Sequence, residues 1–326
     1  MDIRIVDFLQ GKLLASWQSL MARVKLATDE DIDRTVLVLE GSELLAAGSR
    51  KDNLLKCIAV DPLHQGEDLT ATVLTKLRED AFREGYRHLF LYTKPSNEFL
   101  FRSLFFYPVV KTGDVLLMEN VQGGVQTFLQ QLPVVSSEGK IGAAVMNCDP
   151  FTLGHQYLIQ TAAKACDHLY VFVLSEDRGH FSSADRLAMV KAGTAHLKNV
   201  TVMPTGPYLI SSATFPTYFL KNRDQAETVH CNLDIAVFTR YFVPKFGISH
   251  RFVGEEPLSA LTCSYNDALC KALPQSGVEV HIIPRLCKEE TPISASAVRT
   301  RLAAGEDIQD LVPETTYSYI MNHSLT

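Results

Sequence analysis

The stretch "MNCDPFTLGHQYLI", residues 146–159, places Thr152, Gly154 and His155 where an apolar run, Ile141 to Met146, gives way to an amphipathic segment. Residues of these types at a strand–helix junction suit phosphate chemistry. A helix N-terminus carries unpaired N–H groups and partial positive charge. Gly154 lets the backbone approach a ligand closely. His155 can donate to an oxygen that gains negative charge, and Thr152 can do the same or cap the helix. Taken alone, T-x-G-H fits an ordinary N-cap turn with a surface histidine at least as well. A second segment, "TPISASAVRTRL" (291–302), opens another helix with Ser294 and Ser296 in its first turn and Arg299 about one turn on. This is again an anion-binding helix start, with a guanidinium added.

The elements that must position these residues read as α/β. From "KIGAAVMN" onward, strand and helix patterns alternate: "HQYLIQTAAKAC", "HLYVFVLS", "ADRLAMVKAGTAHL", "NVTVMPTG", "RFVGEE" and "VEVHIIPR". Alternation of this kind implies a parallel sheet with helices on both faces, binding ligands beyond the carboxyl ends of its strands. The first half reads as a helix ("GKLLASWQSLMARVKL"), a hairpin turning at Gly41-Ser42, the strand "LLKCIAV", a long helix over 67–86, the strand "HLFLYTK" and the helix "NEFLFRSLFF". Between the halves, residues 122–140 combine glycines, a proline and "SSEG", which is linker chemistry. The boundary is placed there, giving domains 1–134 and 135–326.

At 326 residues the chain is long enough for two domains, and 31 basic against 37 acidic residues leave a net charge of −6. A general nucleic-acid binder needs the opposite balance. The cysteines, at 57, 148, 166, 231, 263, 270 and 287, are odd in number and form no C-x-x-C pair or zinc-finger spacing. They are read as reduced thiols of a cytoplasmic protein, with Cys148 a small buried filler rather than a nucleophile. The first residues, "MDIRIVDFLQ", hold acidic groups where a signal peptide is basic, and no apolar run is long enough to span a bilayer.

"NCDPFTLGH" resembles the (H/T)-x-G-H signature of the nucleotidyltransferase superfamily, and "ISASAVR" resembles its I-S-[ST]-[ST]-x-x-R signature. With "VGEEP" and "TCSYN" (Thr262 to Asn266), the match narrows to the citrate lyase ligase family, from about residue 139 to the C-terminus. The first half is similar to the GNAT acetyltransferase fold that this family carries, with "VDPLHQGEDL" at the pyrophosphate loop. The resemblance therefore implies a GNAT-like α/β domain followed by a Rossmann-like, cytidylyltransferase-like catalytic domain. Two departures stand out. Glu67 and Asp68 sit where the loop should welcome a pyrophosphate, and Phe105-Phe106 replaces the usual Gly-Phe. These argue against an active acetyltransferase and for a docking or carrier-binding role, a reading that micromolar acetyl-CoA binding would overturn.

What the resemblance implies is a ligase that forms a thioester (carbon–sulfur) bond. ATP and acetate give acetyl-adenylate, and the thiol of the phosphoribosyl-dephospho-CoA group on the citrate lyase acyl-carrier subunit takes the acetyl group. In this scheme His155 and Thr152 contact the α-phosphate and the oxygen leaving with pyrophosphate. Ser294, Ser296 and Arg299 hold the β- and γ-phosphates, assisted by Mg²⁺. Asn147, Pro150 and Phe151 shape the turn, with Asn147 near phosphate or acyl group, and Gly254 and Glu255 lie on the adenosine side. No residue of the chain is assigned as a metal ligand, and neither nucleic acid nor membrane is a partner. Arg285, just past the last strand, is a weaker candidate for a phosphate or carrier contact, Lys288 in the following loop is weaker still, and Arg186 is read first as part of a solvated helix face. The rival readings are an adenylyltransferase acting on a phosphate-bearing acceptor such as phosphopantetheine, a protein N-acetyltransferase built on the first half, and an ATP-sensing protein without catalysis.

Overall fold

The computed structural model describes residues 1–135, 139–177, 179–211, 214–220, 225–255, 260–288 and 291–325, and within 260–264 it describes the backbone. The chain divides into two compact units. One comprises Met1–Gly124 with Phe215–Leu233, the other Val125–Thr214 with Asp234–Thr326. A single cut near 135 does not reproduce this division, because an excursion from the second half joins the first unit.

The first unit contains β1 (Asp2–Val6), α1 (Gly11–Arg23), β2 (Arg34–Glu40), β3 (Glu43–Lys51), β4 (Leu54–Val60), α2 (Leu69–Arg83), β5 (Phe90–Thr93), α3 (Glu98–Ser103), β6 (Tyr107–Lys111) and β7 (Leu116–Glu119). Its sheet has the order β1-β2-β3-β4-β5-β7-β6, antiparallel except between β4 and β5. This is a mixed α/β arrangement, as expected from the sequence. Helix α2 lays Leu69, Val73, Leu74, Leu77 and Ala81 against the sheet. Each fully buried Leu or Val there contributes roughly 1.5–3 kcal/mol. A Cβ on Gly48 of β3 would lie 2.4 Å from Val73, so glycine permits this close packing. The helix ends in a Schellman turn, in which Gly85 at φ +93 lets the Tyr86 N–H reach the Ala81 carbonyl at 3.0 Å.

The second unit carries α4 (Gly124–Gln131), β8 (Ile141–Met146), α5 (Leu153–Ala165), β9 (His168–Val173), α6 (Ser183–Thr194), β10 (Val200–Pro204), the end of α7 (Ala226–Val237), α8 (Val243–Phe246), β11 (His250–Gly254), α9 (Ala260–Ala272), β12 (Glu279–Ile283), the short pair β13 (Cys287–Lys288) and β14 (Thr291–Pro292), α10 (Ala295–Ala303) and α11 (Glu314–Asn322). The stretch read as linker thus contains a helix, because Val125 and Leu129 are both buried one turn apart. The main sheet is parallel, in the order β10-β9-β8-β11-β12. Strand β9, "HLYVFV", is buried along its whole length, as a strand covered on both faces must be. The chain runs outward from β8 to β10, then returns to β11 on the other side. The crevice beyond the carboxyl ends of β8 and β11 is therefore the topological switch point, where open α/β sheets bind ligands. Among the described residues, no helix is long and apolar enough to cross a membrane.

Candidate active site

Strand β8 delivers the chain to Asn147 at this switch point. The loop then turns through Cys148 at φ +56 and a cis Asp149–Pro150 bond before Thr152 caps α5. The cap is reciprocal. The His155 N–H donates to Thr152 Oγ1 (3.3 Å), and the Thr152 N–H donates back to His155 Nδ1 (3.1 Å). This is a capping box with histidine in the position that usually holds Glu or Gln. Thr152 Oγ1 also lies 2.9 Å from Nδ1, so this hydroxyl, buried at 1 % exposure, is committed to orienting His155.

The chemistry of His155 follows from that bond. An Nδ1 that accepts a backbone N–H leaves the neutral ring its proton on Nε2. Burial and then the nearby Arg285 charge pull the imidazole pKa down to about 4. At neutral pH His155 is an uncharged donor through Nε2–H. Phe151 stacks near it, with ring centroids 6.0 Å apart and planes at 14°. The Phe151 side chain is fully buried against Gly193, where a Cβ would come within 2.4 Å of the ring. It supports the loop from behind.

Asp149 ties three segments together. Its carboxylate accepts the N–H groups of His180 (3.0 Å) and Phe181 (2.9 Å), and lies 3.4 Å from the Arg299 guanidinium, which also donates to the Asp149 carbonyl. Arg299 in α10 is thereby joined to the loop before α5. The two helix starts meet again at Gly154, where a Cβ would lie 3.1 Å from the Ile293 carbonyl oxygen. Ser294 caps α10 by accepting the Ala297 N–H (3.2 Å), and its hydroxyl lies 3.1 Å from that of Ser296. The structure thus brings the T-x-G-H and S-x-S-x-x-R segments to one place.

Gly254 and Glu255 lie at the end of β11. The Gly254 carbonyl accepts a bond from the side-chain amide of buried Asn266 (2.9 Å), and the Glu255 carbonyl accepts one from Arg285 Nε (2.9 Å). Of the other residues in the family-like segments, Glu256 and Pro257 and the side chains of Thr262 to Ser264 lie outside the described residues.

One expectation changes. Arg186 is no solvated charge. It is fully buried and donates to the Asn147 carbonyl (2.8 Å), the Asn147 side-chain oxygen, the Phe181 carbonyl (3.3 Å) and the Glu176 carbonyl. Leaving such buried acceptors unpaired costs about 1–3 kcal/mol each, so Arg186 is a positioning residue for Asn147. Arg285 lies near enough for its charge to add to the lowering of the His155 pKa by burial, while its Nε is bonded to the Glu255 carbonyl. Lys288 is a half-exposed surface charge, paired with Asp310 at 2.6 Å. Cys148 is 1 % exposed with its thiol pKa pushed up by burial, in agreement with the filler reading.

In the first unit, β4 and β5 pair only at Leu54–Phe90 and Leu55–Leu91. Beside that pairing lies a cavity of about 660 Å³, lined in part by Gln65, Gly66, Asp68, Asn97 and Tyr218. Tyr218, from the excursion, donates its hydroxyl to the Tyr92 carbonyl (3.1 Å). Asp68 precedes α2 in the left-handed region at φ +54, with no side-chain cap bond.

Residues 141–320 match the family model described as the citrate lyase ligase C-terminal domain. The chain is 39% identical over 305 residues to the [citrate [pro-3S]-lyase] ligase of Klebsiella pneumoniae, covering 91% of this chain and 89% of the relative. Against the Escherichia coli K12 protein of the same name, identity is 36%, with 96% and 92% covered. A phosphopantetheine adenylyltransferase of Corynebacterium diphtheriae is 26% identical over 53% of this chain and 91% of its own. Among solved structures, Escherichia coli ElaA covers 37% of this chain and 100% of its own at 16% identity and a TM-score of 0.34. The two ligase relatives span nearly the whole length of the chain, and it belongs to the citrate lyase ligase family.

Proposed function

We propose that this chain activates citrate lyase by using ATP and acetate to acetylate the thiol of the phosphoribosyl-dephospho-CoA group on the lyase's acyl-carrier subunit, by way of acetyl-adenylate. Family membership supports citrate lyase as the target. The observation that carries the chemistry is the neutral His155 held by its capping box beside a second helix start tied in by Arg299.

A carboxylate is already ionised at neutral pH, so its attack on the α-phosphate requires no general base. The acetate oxygen bonds to the α-phosphorus, and the bond to the bridging oxygen breaks, releasing pyrophosphate. The carrier thiolate then attacks the acetyl carbonyl, and AMP departs with the acetate oxygen. What the protein must supply is alignment and charge stabilisation. In this reading His155 Nε2–H donates to the α-phosphate as charge moves toward pyrophosphate, and Thr152 acts through His155. Ser294, Ser296 and Arg299, with the N–H groups of α10, receive the β- and γ-phosphates. Asn147, locked by Arg186, faces the α-phosphate or acyl group, while Gly254 and Glu255 border the adenosine. Asp149 is already bound by backbone N–H groups and Arg299, so the residues here suit a Mg²⁺ that arrives on the ATP phosphates as part of the substrate.

The test is to incubate the protein with ATP, acetate and deacetylated citrate lyase while following AMP and the lyase thioester. The two should form in step and only with all three present. ATP consumption that requires a phosphate-bearing acceptor and leaves AMP attached to it would make the protein an adenylyltransferase instead.

A further inference from the structure

At the opposite edge of the parallel sheet, three side chains converge without any part in the chemistry above. His250 is the first residue of β11, and Glu279 faces it across the register as the first residue of β12. His281 follows Glu279 by two positions, so strand alternation puts it on the same face. Their ligating atoms lie within 4.8 Å of one another. His281 Nε2 is 3.3 Å from His250 Nδ1, Glu279 Oε1 is 3.5 Å from His281 Nε2, and Glu279 Oε2 is 3.7 Å from His250 Nδ1.

We infer that His250, Glu279 and His281 form a zinc site that clamps edge strand β12 to β11. The spacing suits a tetrahedral ion. Zinc takes His nitrogen at about 2.0–2.1 Å and carboxylate oxygen at about 2.0–2.2 Å, so tetrahedral ligands sit roughly 3.3–3.5 Å apart, whereas right-angled octahedral ligands at similar bond lengths sit about 3.0 Å apart. The observed separations follow the tetrahedral value or slightly exceed it, and an ion would draw the exposed Glu279 inward. Two imidazoles with one carboxylate are also a ligand set that zinc prefers over the hard cations. The His281 ring is already held in place, stacked on Phe252 with centroids 4.9 Å apart and planes at 19°. Phe252 is itself part of the core beneath α5, so the site rests on a rigid support. Three protein ligands leave one position for water. The ligands begin their strands while the phosphate cradle follows the strand ends, so the ion's role is to hold the sheet edge.

The experiment uses the full chain, stripped with a chelator and titrated with zinc chloride against a chromogenic competitor. Wild type should bind one zinc per chain. Glu279→Gln, a mild change at an exposed position, and His281→Gln should each weaken that site by about 100-fold or more, beyond the 10–100-fold typical of outer-shell changes. His196→Gln, at an exposed histidine outside the cluster, should leave it unchanged. Zinc should raise the melting temperature of wild type and of His196→Gln but not of the two cluster variants. If wild type binds no zinc, or if both cluster variants retain its affinity and stoichiometry, the three residues are a hydrogen-bonded triad only and the inference is wrong.

Discussion

Each unit of this chain opens a long helix with a glycine close to its start, and the two helix starts face phosphate chemistry in opposite ways. Helix α5 begins at Thr152, whose side chain and backbone are both bonded to a neutral His155. Helix α2 begins at Asp68, exposed, in a left-handed conformation without a side-chain cap, beside exposed Glu67. Both have the N–H groups and dipole that attract anions. The first adds an aimed, uncharged donor and a nearby guanidinium. The second places carboxylates where a phosphate would have to sit, at a Coulomb cost that only solvent screening moderates. The backbone device is therefore common to both units, and the side chains at its mouth decide whether it is a site.

The most severe way to break the comparison is to remove the donor. His155→Ala should lower the rate of acetyl transfer by about 10²–10³-fold, the loss typical of one preorganised donor. Near-normal turnover would make α5 no more catalytic than α2. Arg299→Ala should follow, with about 10–100-fold lost and a raised KM for ATP, since one charge-assisted contact of roughly 1.5–3 kcal/mol disappears. A steady-state series in ATP checks both terms.

Stability and pH sharpen the contrast. His155 titrates at about 4 in the folded chain against 6.5 as its ordinary value. Between those values the unfolded chain binds a proton that the folded chain refuses, so stability rises with pH across this window. The contribution is complete above pH 6.5 and is lost as the pH falls toward 4. Urea melts at pH 7 and pH 5 should show a larger loss for wild type than for His155→Gln. Thr152→Ala should cost about 1 kcal/mol of stability through the lost cap. The smallest effect is expected in the first unit. Asp68→Ser should leave citrate lyase acetylation unchanged, and calorimetry on the wild-type chain should find no micromolar binding of acetyl-CoA.

The sequence was most legible where the physics is local. Strands β8 and β9 show as apolar runs because both faces are covered, and Thr152, His155, Ser294 and Arg299 show as spacings within a single helical turn or two. It was least legible where the partner is remote. Arg186 looked like a surface charge because the Asn147 carbonyl it holds lies 39 positions earlier, and nothing in "SSADRLAMV" records that. Asp149 binds N–H groups some 31 and 32 positions away. Helix α4 was hidden by Gly123-Gly124, which read as linker although Val125 and Leu129 are core residues. The Phe215–Leu233 excursion into the first unit has no local signature at all.

The central claim is that the α5–α10 cradle transfers the adenylyl group of ATP to acetate, and oxygen isotopes test it most directly. Acetate labelled with oxygen-18 in both positions is supplied with ATP and deacetylated citrate lyase, and the phosphorus products are analysed by mass. If acetyl-adenylate forms, one labelled oxygen remains on the phosphate of AMP and pyrophosphate is unlabelled. Unlabelled AMP, or label in pyrophosphate or orthophosphate, would mean that acetate attacks elsewhere and that the cradle does not do what its geometry is read to do.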